Sequence, residues 1–243
     1  MARAPQDPKD IFEELTEDYR GLFGDELEGI ILYGSAAGIG YRPGKSDINF
    51  MIILSEQGIG HLDRAFKTVA KWRKRYVAVP LFLTRAYVET SLDVFPIEYL
   101  GFQRRHIVVY GEDLLKDLVF EPGLVRLQCE REVKGKLLLL RHAFLRTEGK
   151  GHAMKEAISR SLQAFAAVFE ALLFLRQEKI PAEPRELLAL ACRILGLDAG
   201  LFETLLDLKE ERMKPDDIKL SHLFKNYVEE VRRLSKIVDT LGG

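Results

Sequence analysis

Cysteine is nearly absent from this 243-residue chain: Cys129 and Cys192 are the only two. Both fall in helical patterns, and neither has a second cysteine at metal-ligand spacing. That excludes a disulfide framework and a thiolate metal site, and leaves two small buried hydrophobes in a reducing compartment. Net charge is almost absent too, at −1 with 30% charged residues. Global electrostatics therefore argue neither for nor against a nucleic-acid partner, and none is expected. There is no run of 18 apolar residues, and the N-terminal MARAPQDPKDIFEEL lacks the apolar core of a signal peptide. The expectation is a soluble cytoplasmic protein with no membrane partner. The most apolar stretch, 153 to 175, is interrupted by Lys155, Glu156, Arg160 and Glu170. A buried helix at the centre of a bundle, or at a homodimer interface, suits it better than a membrane span. His61, His142, His152 and His222 show no paired ligand spacing. Internal repeats and low-complexity tracts are also missing.

Length allows two modest domains, and the pattern changes once along the chain. Asp7-Pro8 can cap a first helix with Ile11, Phe12, Leu15, Tyr19 and Leu22 on one face, ending at Gly24. GIILY (29 to 33) reads as a short strand and DINFMIIL (47 to 54) as a second. His61 to Tyr76 reads as a helix with a basic second half, KTVAKWRKRY, whose lysines and arginines form a solvated face; Trp72 within it can pack on the sheet. VAVPLFL (77 to 83) reads as a third strand, with an awkward Pro80. IEYL and HIVVYG, between Asp93 and Gly111, are apolar and partly β-branched. From Leu114 onward, helical patterns take over at 124–147, 153–178, 184–195, 199–212 and 216–240, with breaks at Gly149-Lys150-Gly151, Pro181–Pro184, Gly196 and Pro215. The predicted organisation is an α+β domain over 1–115, a small mixed sheet with flanking helices, followed by an all-helical bundle over 116–243.

The chemistry concentrates in LYGSAAGIGYRPGKSDINF, residues 32 to 50. Strand alternation puts Asp47, Asn49 and Met51 on one face, with Ile48, Phe50, Ile52 and Leu54 on the other. Asp47 and Asn49 are then about 6.5 to 7 Å apart at Cα, and their side chains could converge on metal ions roughly 3.5 to 4 Å apart. Gly34 permits close backbone approach. Ser35, opening a short helix, offers a hydroxyl and free N–H groups to phosphate oxygens. Arg42, Lys45 and Ser46, on the connecting loop, could meet further phosphate charge. The assembly reads as a triphosphate grip beside a metal site.

Strand–Gly-Ser–x11–Asp–x–(Asp/Glu)–strand resembles the signature of the nucleotidyltransferase superfamily, the polymerase-beta-like fold. This chain matches at Gly34, Ser35 and Asp47. A sheet-bearing half followed by a helical bundle is similar to the kanamycin-nucleotidyltransferase architecture. The resemblance implies that the Gly-Ser turn holds the phosphates of ATP or another NTP, that Asp47 and Asn49 hold Mg²⁺, and that a nucleoside monophosphate passes to a hydroxyl on a small molecule or protein. The fused bundle would then close over the cleft and shape the acceptor pocket.

Two positions depart from that signature. Asn49 stands where the second metal carboxylate would be; its carbonyl oxygen can coordinate but brings no charge. A third carboxylate would lie on the strand after the basic helix, and VAVPLFL has none. Glu98 in FPIEYL, or Asp93 just before it, could approach from a neighbouring segment. The lesser alternative is that Asn49 is merely structural and bonds backbone at a strand start. The readings left open are an active but weakened nucleotidyltransferase, an inactive nucleotide-binding sensor, and an antitoxin-like interaction module whose helical half is the working surface.

Overall fold

The computed structural model describes residues 4–38 and 40–241. They form two compact units, dividing between Phe120 and Glu121.

The first unit begins with a 3-10 turn, Pro8–Ile11, capped by the Asp7 carboxylate, which accepts from the Lys9 N–H at 2.9 Å. Helix α1 (Phe12–Phe23) follows and stops at Gly24, whose φ of 54° takes the chain out of the helical region. Strand β1 is Leu27–Tyr33 and β2 is Asn49–Leu54. A short α2 (Glu56–Ile59), a 3-10 turn and α3 (Phe66–Arg73) lead to β3 (Leu81–Leu83). Then come α4 (Arg85–Thr90), α5 (Pro96–Arg104) and β4 (His106–Gly111). The sheet order is β3-β2-β1-β4, with β1 antiparallel to both neighbours and β2 parallel to β3. This is a small mixed sheet, and with its helices it is an α+β fold.

Both faces of the central strands are apolar, as a sheet covered on both sides requires. Ile30, Leu32, Phe50, Ile52 and Leu54 join Ile11, Leu15, Tyr19 and Phe23 of the first helical segment and Trp72 of α3 in one core. On the opposite face Ile31, Met51 and Ile53 are fully buried. Trp72 is pinned: its indole N–H donates to Asp18 at 2.9 Å, while Lys71 and Arg75 lie over its ring. The basic run is largely exposed, as expected, and within it Lys71 and Arg75 also pair with Glu14 of α1.

Three local readings are corrected. The 77–83 stretch is not one strand: Val77 makes an isolated parallel bridge to Ile48, and only Leu81–Leu83 pairs with β2. Pro80 has no N–H for the ladder and falls in the gap. The helix expected from His61 to Tyr76 is a 3-10 turn followed by α3, and Tyr76 adopts φ 65°. IEYL is helical, because Pro96 stands at the first helical position, where its fixed φ favours a helix start.

The second unit contains α6 (Pro122–Arg146), α7 (Gly151–Leu175), α8 (Pro184–Leu195), α9 (Ala199–Lys209) and α10 (Asp217–Asp239). Prolines open α6 and α8; Asp198 and Asp216 cap α9 and α10 through Leu201 and Lys219 N–H groups. Helix α7 is long and apolar enough to cross a membrane by length and composition. Here it packs against α6, α8, α9 and α10 and supplies the bundle core. Its Phe165 and Phe169 meet Phe202 of α9 and Tyr227 of α10 in edge-on and tilted contacts, with centroids 5.8 to 6.4 Å apart.

Candidate nucleotide site

β1 delivers the chain into the Gly34–Ala37 3-10 turn. Gly34 has φ 79°, a region that favours glycine, and a Cβ placed on it would lie 3.7 Å from the Asn49 side-chain nitrogen. The demand for glycine is therefore conformational rather than steric, and it places Asn49 beside the turn. The Gly34 N–H donates to the Arg105 carbonyl at 3.1 Å. Sequence reasoning offered this turn's amides to phosphate; that one is already used. The Ser35 hydroxyl is exposed and makes no hydrogen bond among the described residues.

Tyr33 is paired with Asn49 on one side and His106 on the other, so these three side chains share a sheet face at one end. The Tyr33 ring meets Phe102 of α5 edge-on at 4.7 Å, and burial raises its phenol pKa. Asn49 is half-buried and, among the described residues, its amide has no hydrogen-bond partner. The alternative that it merely bonds backbone at the strand start is thus not what the structure has. Asp47 is exposed, two residues before Asn49, and its carboxylate makes neither a hydrogen bond nor an ion pair among the described residues. Its neighbour Ile48 is fixed on both sides, donating to the Tyr76 carbonyl and accepting from the Ala78 N–H, each at 3.0 Å.

The loop between turn and strand is self-closed. Gly44 has φ 74°; the Lys45 and Ser46 N–H groups both reach the Arg42 carbonyl, and the Ser46 hydroxyl accepts from the Arg42 N–H at 3.1 Å. Ser46 therefore shapes the loop, while the Arg42 and Lys45 side chains are exposed without partners among the described residues. Tyr41 anchors the loop through a 2.8 Å bond to the Pro5 carbonyl.

Glu98 lies in the first turn of α5, exposed, one helical turn before Phe102. Among the described residues no group of three or more His, Cys, Asp or Glu side chains is placed to hold a metal ion.

Arg105 and His106, in a run whose sequence reads as the edge of a strand with a substrate-phosphate role as the lesser alternative, also lie here. Arg105 ends α5, and its Cδ is 3.9 Å from where a Cβ on Gly38 would stand, so its stem lies along the turn. His106 is clamped: Nδ1 faces the Phe102 and Gln103 carbonyls at 3.1 and 3.0 Å and must donate to them, while Nε2 is 3.0 Å from Asp113. Asp113 also accepts from the Leu115 and Lys116 N–H groups. Burial pushes its carboxyl up, but the His106 contact and these two amide bonds outweigh it and hold the group below its ordinary value. Reading HIVVYG as a strand antiparallel to GIILY would have found both residues, since that pairing brings Arg105 and His106 to the Gly-Ser end of β1.

A four-strand mixed sheet with a Gly-Ser turn leaving β1 and an aspartate at the head of β2, in a chain that continues as a helical unit, is the nucleotidyltransferase fold. The same fold is found in the spectinomycin adenyltransferase AAD(9) from Enterococcus faecialis, solved with ATP and spectinomycin: TM-score 0.51, 11% identity, over 90% of this chain and 99% of that one. No family model matches the sequence, and no curated protein resembles it in sequence.

Proposed function

We propose that the chain binds a nucleoside triphosphate at the Gly34–Ser35 turn and transfers a nucleoside monophosphate to a hydroxyl acceptor, at a rate reduced by Asn49. What carries the reading is the set of uncommitted groups on one edge of a fold shared with an adenyltransferase. Ser35, Asp47 and Asn49 all lack partners among the described residues. Of these, Asn49 weighs most, because a half-buried amide is normally bonded, whereas Ser35 and Asp47 are exposed.

The donor set limits the metal. Asp47 brings one anionic oxygen and Asn49 one neutral carbonyl, which suits a single Mg²⁺ that also draws ligands from nucleotide phosphates. Bound there, the ion would neutralise phosphate charge. No group of three or more His, Cys, Asp or Glu side chains that would hold a second ion is found among the described residues. Loss of one oriented charge at such a site costs on the order of 3 to 4 kcal/mol, a few hundred-fold in rate. Slow transfer, or nucleotide binding without transfer, both fit that magnitude, and the absence of a third carboxylate favours the slower end.

The test is calorimetric titration of ATP and GTP into the purified protein. Micromolar binding, lost in Asp47→Ala, supports the site and justifies an acceptor screen by nucleoside-monophosphate incorporation. No binding of any nucleotide overturns the proposal and directs attention to the helical unit and a protein partner.

A further inference from the structure

Independently of the nucleotide reading, we infer that the outer face of α6, in the helical unit, docks an acidic amphipathic helix of a partner protein. From Val133 to Thr147 the chain carries Lys134, Lys136, Arg141, His142 and Arg146 but no Asp or Glu. Leucines 137 to 140 and Leu145 lie among these cations. A helix that serves only its own bundle turns such leucines inward, as Leu137 and Leu140 are turned. Leu138, Leu139 and Leu145 are instead 67%, 67% and 74% exposed. Leu138 and Leu145 stand two turns apart on one line of the helix, and the exposed Leu127 extends that line three turns earlier.

A groove runs on each side of the line. Toward α7, a recess of about 420 Å³ is lined by Leu139, Leu140, Ala143 and Arg146 with Ala153 and Ala157. Toward α10, one of about 460 Å³ is lined by Phe144, Leu145 and Val228 with Arg141, Lys225 and Glu229. Charge selects what fits. Arg141, Arg146 and Lys225 make neither a hydrogen bond nor an ion pair among the described residues. The acids in the groove walls are occupied, Glu156 by Arg160 and Glu229 by Arg232. The unmatched charge is therefore positive, with Arg141 in one groove and Arg146 in the other. A helix whose apolar stripe is flanked by Glu and Asp satisfies both features: its large side chains enter the grooves and its carboxylates meet the cations. A second copy of this chain does not, because a two-fold contact sets α6 against itself and cation against cation. A nucleic acid uses the cations but leaves the leucines in water, and a flat lipid surface leaves the grooves unfilled.

The experiment titrates the full chain into a fluorescein-labelled synthetic peptide, read by anisotropy. The peptide carries leucines at i, i+3, i+4 and i+7 spacing and glutamates on the flanks of that stripe. One reference probe has the same composition with the leucine spacing scrambled, and another has lysine in place of glutamate. Saturable binding with Kd on the order of 10 µM is expected for the first probe, and binding at least about tenfold weaker for the others. Arg141→Glu combined with Arg146→Glu is expected to weaken binding by about tenfold, the worth of a few exposed ion pairs. Leu138→Ala combined with Leu145→Ala is expected to cost a similar factor through lost apolar burial. All four side chains are exposed, so both variants are expected to melt with the wild type, and either one decides the outcome if the other does not fold. Failure of the acidic probe to saturate overturns the inference, as does equal affinity for the scrambled probe or unaltered affinity in a folded variant. Tighter binding of a single-stranded oligonucleotide or of phosphatidylserine vesicles also overturns it, assigning the face to a nucleic acid or a membrane.

Discussion

Restoring the missing carboxylate is the most direct test of how the strand residues are arranged. Asn49→Asp is isosteric, and because the Asn49 amide has no hydrogen-bond partner among the described residues, the exchange breaks no bond. What it adds is a negative charge two residues from Asp47, about 7 Å away along the same face. Two unit charges at that separation repel by about 0.6 kcal/mol in water and about 2.4 kcal/mol at an effective dielectric of 20. Asp47 is exposed and Asn49 half-buried, so roughly 1 kcal/mol is the reasonable figure. In a unit of this size that lowers the melting temperature by a few degrees when divalent ions are chelated. With both carboxylates able to share an ion, Mg²⁺ at a hundred times its Kd returns about 2.7 kcal/mol, so the sign of the shift reverses. Differential scanning fluorimetry in EDTA and in millimolar Mg²⁺ reads both effects, and the wild type should show little difference between the two. If Asn49→Asp melts at one temperature in both conditions, the two side chains do not converge, and the alternation argument for the site fails.

Other perturbations test the framework. Gly111→Ala should destabilise by several kcal/mol in chemical denaturation, because a Cβ there would stand 2.1 Å from the Glu28 carbonyl oxygen at φ 79°. Tyr19→Phe should be neutral or stabilising by about 1 kcal/mol, since its buried hydroxyl lacks a partner; a clear loss of stability would show that the hydroxyl is bonded. Asp113 has a folded-state pKa below its ordinary 3.8, so it stabilises above that value and the contribution disappears as pH falls through and below 4. Asp113→Asn should lower stability at pH 7 by about 1 kcal/mol and flatten that acid limb in melting curves taken across pH. Burial pushes both thiols up to about 12, so Cys129 and Cys192 should resist a thiol reagent until denaturant is added; rapid native labelling would contradict their burial.

Much of the fold was legible because it is written in local periodicity. Period-two alternation in DINFMIIL located Ile48, Phe50, Ile52 and Leu54 in the core and Asn49 on the opposite face, as found. Helical spacing with proline and glycine punctuation located five helices after residue 121. Misreadings fell where a single residue outweighs pattern: Pro96 turns an apolar tetrapeptide helical, and Pro80 splits a strand. The site was legible only where it is continuous in sequence, from Gly34 to Asn49. Arg105 and His106 reach it through a strand pairing across some seventy residues, and short apolar strands carry no mark of their partner. The Lys71–Asp18 and Arg75–Glu14 pairs were invisible for the same reason, although each charge looked ordinary in its own helix.

The clamp on Trp72 gives the molecule an internal optical tag. It is the chain's single tryptophan and sits in the sheet-bearing unit, its indole bonded to Asp18 beneath two cations. Emission excited at long wavelength therefore reports melting of that unit alone, whereas far-ultraviolet dichroism is weighted toward the five long helices of the other. Following both signals through one denaturant titration reads the cooperativity of the whole chain without a label: superimposable curves describe one unfolding event, and separated midpoints give each half its own free energy.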